Sequence, residues 1–124
     1  MTTYTEPTRI GDVLKREFDQ LHNREQVTID TGNLVCGTVL GKITASGKYV
    51  LHDNAAADGS QNAAAVLLQD ADASSADVTA VALVRGPAVV ALGKLTFKSG
   101  ITEGNKTAAV AALAALGIVA RTTV

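Results

Sequence analysis

The sequence predicts a mainly β fold, a small tulip-like or barrel-like domain with one short C-terminal helix around residues 106–116 and an N-terminal arm. Three observations predict it. Apolar residues make up 47% of the 124-residue chain while aromatics are only 3% and Trp is absent, so any core is assembled from Val, Leu, Ile and Ala. Short apolar stretches with strand character, punctuated by Gly and polar turns, follow one another through the middle of the chain. A single alanine-rich segment near the end reads as helix.

The arm comes first because charge is placed unevenly. Residues 1–30 hold Arg9, Lys15, Arg16 and Arg24 with Glu6, Asp12, Glu17, Asp19, Glu25 and Asp30, ten of the 23 charges in under a quarter of the length. The chain is therefore divided into a charged arm, residues 1–26, and a nearly neutral body, residues 27–124. As a helix, Leu14, Phe18 and Leu21 share one face; as extended chain, the segment suits gripping a partner. Periodicity leaves both open.

Along the body, "QVTID" alternates Val27 and Ile29 with polar neighbours. "NLVCGTVLGKI" continues as strand, with Gly37 and Gly41 marking bulges or bends. Residues 45–47 turn into "KYVL", and "AAAVLLQ" is a short buried strand. "DVTAVALVRG" is apolar on both faces, which predicts cover on both sides. "GPAVVALGKLTF" follows as a strand pair or bent strand. In "NKTAAVAALAALG" Asn105 is the expected N-cap, Gly117 the stop, and Val110, Leu113 and Leu116 the buried stripe. "GIVAR" returns to strand.

Composition and motifs exclude more than they assign. A net charge of −1 and few aromatics argue against nucleic acid as a partner. The polar start is unlike a signal peptide, and the run 108–120 is shorter than the roughly 20 residues that span a bilayer, so no membrane partner is expected. Cys36 is the only cysteine, which excludes an internal disulfide. Five residues, not four, separate Gly41 from Gly47, and Tyr49 follows Lys48, so no phosphate loop forms there. Asp70 and Asp72 have calcium-loop spacing, but Ser75 and Val81 stand where Gly and Glu are required. Cys36 reads as a buried thiol rather than a partner of His22 or His52, and Ser60 as a residue bonding the backbone of its own turn. Asp53 and Asp58 have no evident partner carboxylate. The expectation is no enzyme, no cofactor and no metal. With 21 alanines and 11 glycines, many core positions bury little area. At roughly 25 cal/mol per Å² of apolar burial, a lone monomer is only marginally stable and gains from association.

The stretch "VLHDNAAADGSQNAAAVLLQDADASSAD" carries almost no reactive side chain and reads as scaffold whose small residues permit close approach. It also carries a resemblance. "GTVLGKIT", then "GKY", then "DGSQNAAAVL", in that order, resemble the head decoration proteins of lambda-type bacteriophages, over roughly residues 10–120. The resemblance implies a protein that forms homotrimers at three-fold sites of the expanded icosahedral head and cements it against DNA pressure. Its partner would be the major capsid protein, its place the outer surface of a virion assembled in the host cytoplasm. The arm is then the capsid-binding element, with Tyr4, Pro7, Leu14 and Phe18 as anchors; for Leu14 and Phe18, packing on the body is the competing reading. A rival function is a lipoyl- or biotinyl-type carrier barrel with Lys48 on its hairpin, although "ASGKYV" lacks the acidic or Met neighbours such modules use.

Overall fold

The computed structural model describes residues 13–17 and 23–121. Among the described residues, ten strands, a 3-10 turn and a long helix follow in order. The strands are β1 (Leu14–Glu17), β2 (Arg24–Ile29), β3 (Gly32–Leu34), β4 (Val39–Lys42), β5 (Tyr49–Leu51), β6 (Ala63–Leu67), β7 (Ala71–Ala73), β8 (Val78–Leu83), β9 (Ala88–Ala91) and β10 (Ile118–Arg121). The 3-10 turn is Leu92–Lys94, and the helix, α1, is Glu103–Ala115.

Strands β2-β5-β4-β6-β8 close into a barrel, β1-β9-β10 form a three-stranded sheet, and β3-β7 pair alone. The barrel is mostly antiparallel; β2 meets β5 in parallel at Ile29 opposite Tyr49, with Asp30 N–H donating to Tyr49 O at 2.9 Å. Closure leaves the barrel no exposed edge, and the outer strands of the three-stranded sheet are β1 and β10.

Two cores explain the apolar, weakly alternating strands. Val27, Ile29, Leu40, Ala65, Leu67, Ala80 and Ala82 fill the barrel. Val39, Val66 and Leu83 point outward and pack with Val90, Leu113 and Ile118 beneath α1 and the three-stranded sheet. Neighbouring residues of β4, β6 and β8 thus serve opposite cores, and the two-sided cover expected of β8 is observed. Alanine at 65, 80 and 82 suits an interior this narrow, where larger side chains would overfill.

The glycines of "NLVCGTVLGKI" divide it. Gly37, at φ +96°, turns the chain between β3 and β4, and Cys36 lies buried in that turn rather than in a strand. Gly41 sits at the β4–β6 register shift, where a Cβ would fall 2.6 Å from Ser60 Cα. "ADASSAD", whose acids have no calcium-loop context, begins with a short strand: Ala71 and Ala73 are buried opposite β3 and only Asp72 of the strand is exposed. The "GPAVVALGKLTF" stretch is one strand followed by the 3-10 turn.

Part of the segment read as an arm belongs to the body. β1 pairs antiparallel with β9, Leu14 opposite Val90, and β2 enters the barrel at Arg24 opposite Leu83. The charge density there is partly internal pairing: the Arg24 guanidinium forks onto Glu17, with Nη2 2.6 Å from Oε1 and Nε 3.1 Å from Oε2. Leu14 is therefore strand, not helix.

The helix begins and faces differently from expectation. Thr102 is the N-cap: extended at φ −80°, ψ 160°, its hydroxyl accepts from Asn105 N–H at 3.2 Å. Asn105 contributes its backbone, not its side chain, because the helix starts three residues earlier, where Glu103 also favours the positive end of the dipole. The buried row is Ala109 and Leu113, with Val110 half-buried and Leu116 39% exposed. Steps of three turn the stripe by roughly 60° each time, so Val110 and Leu116 fall on opposite flanks of Leu113. Gly117, at φ +89°, ends the helix as expected.

Candidate interaction surfaces

The groups singled out for chemistry are used structurally. Lys48, the carrier candidate, is held by Asp77, Nζ to Oδ2 2.6 Å; this hydrogen bond and charge raise the Lys48 pKa above its usual value and lower that of Asp77. A more firmly protonated amine is a poorer nucleophile. Asp70 accepts from Cys36 N–H at 2.8 Å and Asp72 from Ser74, so the two acids point at different backbone turns. Among the described residues no group of three or more His, Cys, Asp or Glu is placed to hold a metal ion. His22 lies outside the described residues.

His52 is 1% exposed and its Nε2 lies 3.0 Å from Gln61 O, so that nitrogen carries the proton. Ser60 is equally buried, but its hydroxyl donates to the Asp58 carboxylate at 2.6 Å rather than to backbone, and its N–H donates to the same oxygen at 3.0 Å. These two bonds hold the Asp58 carboxyl below its usual pKa. Asp53 is lowered likewise, first by Lys98 Nζ at 2.7 Å and then by the Ala55 N–H. The small-residue loop thus packs on its own chain: a Cβ on Gly59, at φ +110°, would meet Thr44 and lie 2.6 Å from Lys42 O.

Three surface features remain for partners. An apolar groove of about 480 Å³ runs between the 3-10 turn and α1, walled by Leu92, Leu95, Phe97 and Val110, with Glu103 and Lys106 at its rim. Lys106 Nζ stands 5.7 Å from the centre of the Phe97 ring. A smaller cleft of about 220 Å³ holds the Lys98–Asp53 pair beside Asn54, whose buried Oδ1 accepts no hydrogen bond. Val35, Leu116 and Val119 are the large apolar side chains left exposed among the described residues, at 45%, 39% and 39%. Leu116 and Val119 flank the turn from α1 into the edge strand β10. Sequence periodicity missed both the groove and this patch, because it assigned Leu116 to the core.

Of the expected arm anchors, Leu14 is half-buried against the core beneath α1. Tyr4, Pro7 and Phe18 lie outside the described residues. No helix among the described residues is long and apolar enough to cross a membrane.

No curated protein sequence matches the chain. The model of one protein family does match, over residues 3–118, and so takes in β1, the whole barrel, the groove and α1. The chain belongs to the bacteriophage lambda head decoration protein D family, a structural component of the phage capsid.

Proposed function

We propose that the protein is a cement subunit that binds as homotrimers at three-fold sites on the outer surface of the expanded head and stabilises the shell against the pressure of packaged DNA. The match of the family model to nearly the whole chain carries this reading. The fold supports it: a closed barrel backed by a second apolar core is a rigid body, and Lys48, His52, Asp53, Asp58, Ser60, Asp70 and Asp72 are held in bonds within the fold. Many weak, identical contacts then add up over a shell that presents the same site repeatedly.

The major capsid protein is the proposed partner and the N-terminal segment the grip, adding an extended strand to the shell surface through backbone hydrogen bonds. Tyr4, Pro7 and Phe18 are its proposed anchors; Leu14 already packs on the core, so its share is to fix the base of the segment. Residues 1–12 are the part to remove when testing this grip, since removing residues 1–26 would also delete β1 and the start of β2.

Cosedimentation with expanded and unexpanded shells tests the reading. Full-length protein should sediment saturably with expanded shells only, and a chain starting at Val13 should lose most of that binding while keeping its fold. Absence of binding to either shell by full-length protein would overturn the cement reading. Equal binding by the truncated chain would remove the grip from residues 1–12.

A further inference from the structure

We propose that the joint between Asp58 and Gly59 is a latent modification site, which rearranges to isoaspartate only when its loop opens, and that Ser60 and Gln61 are the residues that hold it shut. Asp58–Gly59 is the only Asp-Gly sequence in the chain, and Asn-Gly does not occur. At such a joint the backbone nitrogen of the second residue attacks the side-chain carboxyl carbon of the first, and glycine has no side chain to hinder the approach. The N–C bond forms, the nitrogen gives up its proton, and the carboxyl loses one oxygen as water. Water then opens the resulting five-membered imide. Where it cleaves the bond to the former main-chain carbonyl, the chain runs on through the Asp58 side chain. Water is the only co-reactant, and the mass is unchanged.

Each reacting group is engaged elsewhere in the fold. Gly59 N–H donates to Gln61 Oε1 at 2.8 Å, so the nitrogen that would attack keeps its proton in a bond aimed at another residue. Asp58 Oδ1 receives both the Ser60 hydroxyl and the Ser60 N–H, which turns the carboxyl toward Ser60 and favours its ionised form. Loss of water draws on the protonated form. The joint is also pinned: Asp58 O accepts from Thr44 N–H at 2.9 Å, and a Cβ on Gly59 would fall 2.6 Å from Lys42 O. Behind it, His52 Nε2–H donates to Gln61 O at 3.0 Å and Asp53 N–H to Ser60 O at 3.1 Å. Ser60 is buried whereas Asp58 is exposed, so solvent reaches the carboxyl and the loop's own bonds restrain it.

Isoaspartate at position 58, located by fragmentation mass spectrometry during storage at neutral pH, is followed in the full-length protein and in a blocked peptide of residues 55–61. The protein should react more slowly than the peptide by about tenfold or more, because rearrangement proceeds only from the opened loop. Ser60→Ala frees the carboxyl, and Gln61→Met frees the Gly59 N–H while leaving the main-chain carbonyl of residue 61 to His52. Each should raise the rate by about fivefold or more, every variant being judged against its own peptide. Ser74→Ala removes the matching bond from Asp72 in a different loop and should leave the rate at Asp58 as it is. Wild-type protein that rearranges as fast as its peptide would overturn the proposal. So would slow rearrangement that neither Ser60→Ala nor Gln61→Met accelerates. Acceleration by Ser74→Ala equal to that by Ser60→Ala would overturn it as well, since general loosening of the fold would then set the rate.

Discussion

Gly86 and Gly117 are packed backbone against backbone. Gly86 N–H donates to Leu116 O at 2.8 Å, Ala88 N–H donates to Gly117 O at 3.1 Å, and a Cβ on Gly86 would fall on the Gly117 carbonyl, 2.7 Å from its Cα. The contact joins the start of β9 to the end of α1, and so sets where the helix lies over the core. Gly86→Ala forces the two segments apart and should cost about 3 kcal/mol. Gly117→Ala meets both a left-handed backbone and a 3.0 Å contact, and should cost about 2 kcal/mol. Urea unfolding midpoints check both, and a change within experimental error at Gly86 would contradict the packing described.

The cap of α1 separates two residues that composition treats alike. Thr102→Ala removes the oxygen that receives the Asn105 N–H and should lower stability by about 1 kcal/mol. Asn105→Ala keeps that backbone donor, so its effect should be at most half as large. Thermal denaturation of the two variants in parallel reads the difference, and the reverse order would return the cap to Asn105.

Leu113 and Leu116 make the corresponding test of the helix face. Leu113 is fully buried between the barrel wall and β10, and Leu113→Ala should cost about 3 kcal/mol through lost burial and a residual cavity. Leu116→Ala should stay within about 1 kcal/mol, since its side chain is 39% exposed. Equal losses would mean that the helix is rotated from the orientation seen here.

The fold class was legible because glycines and polar turns divide the chain where the strands end, and because alanines near the C-terminus have no reason to be strand. The faces were less legible. In β8, Ala80 and Ala82 enter the barrel while Val81 and Leu83 enter the second core, so no polar face marks the alternation. The β3–β7 pair was missed because a three-residue strand with two small alanines looks like a turn. The charged N-terminal stretch was read as one arm because sequence cannot show that Arg24 and Glu17 neutralise each other across two strands. The groove was invisible for a similar reason: its walls come from residues 92–97 and 103–110, each unremarkable alone.

The depressed carboxylates fix the direction of the acid response. Asp58 is lowered by the buried Ser60 hydroxyl and N–H, Asp53 by Lys98, Asp72 by Ser74 and Asp77 by Lys48. Each ordinary value is 3.8, and each folded value lies below it. In the pH range between those values the unfolded chain binds more protons than the folded one, so stability falls as pH falls. The contribution is complete above the unfolded pKa and is lost as pH drops through the folded values, below about pH 4. Urea midpoints at matched ionic strength should therefore be flat with respect to these groups from pH 6 to 5 and decline toward pH 2.5. Asp58→Asn should lower the midpoint at pH 6, because the amide is a weaker acceptor for Ser60, and should shrink the acid decline without abolishing it, since three other carboxylates still titrate. An unchanged decline in that variant would show that the Asp58–Ser60 bond contributes nothing to holding the loop against β4.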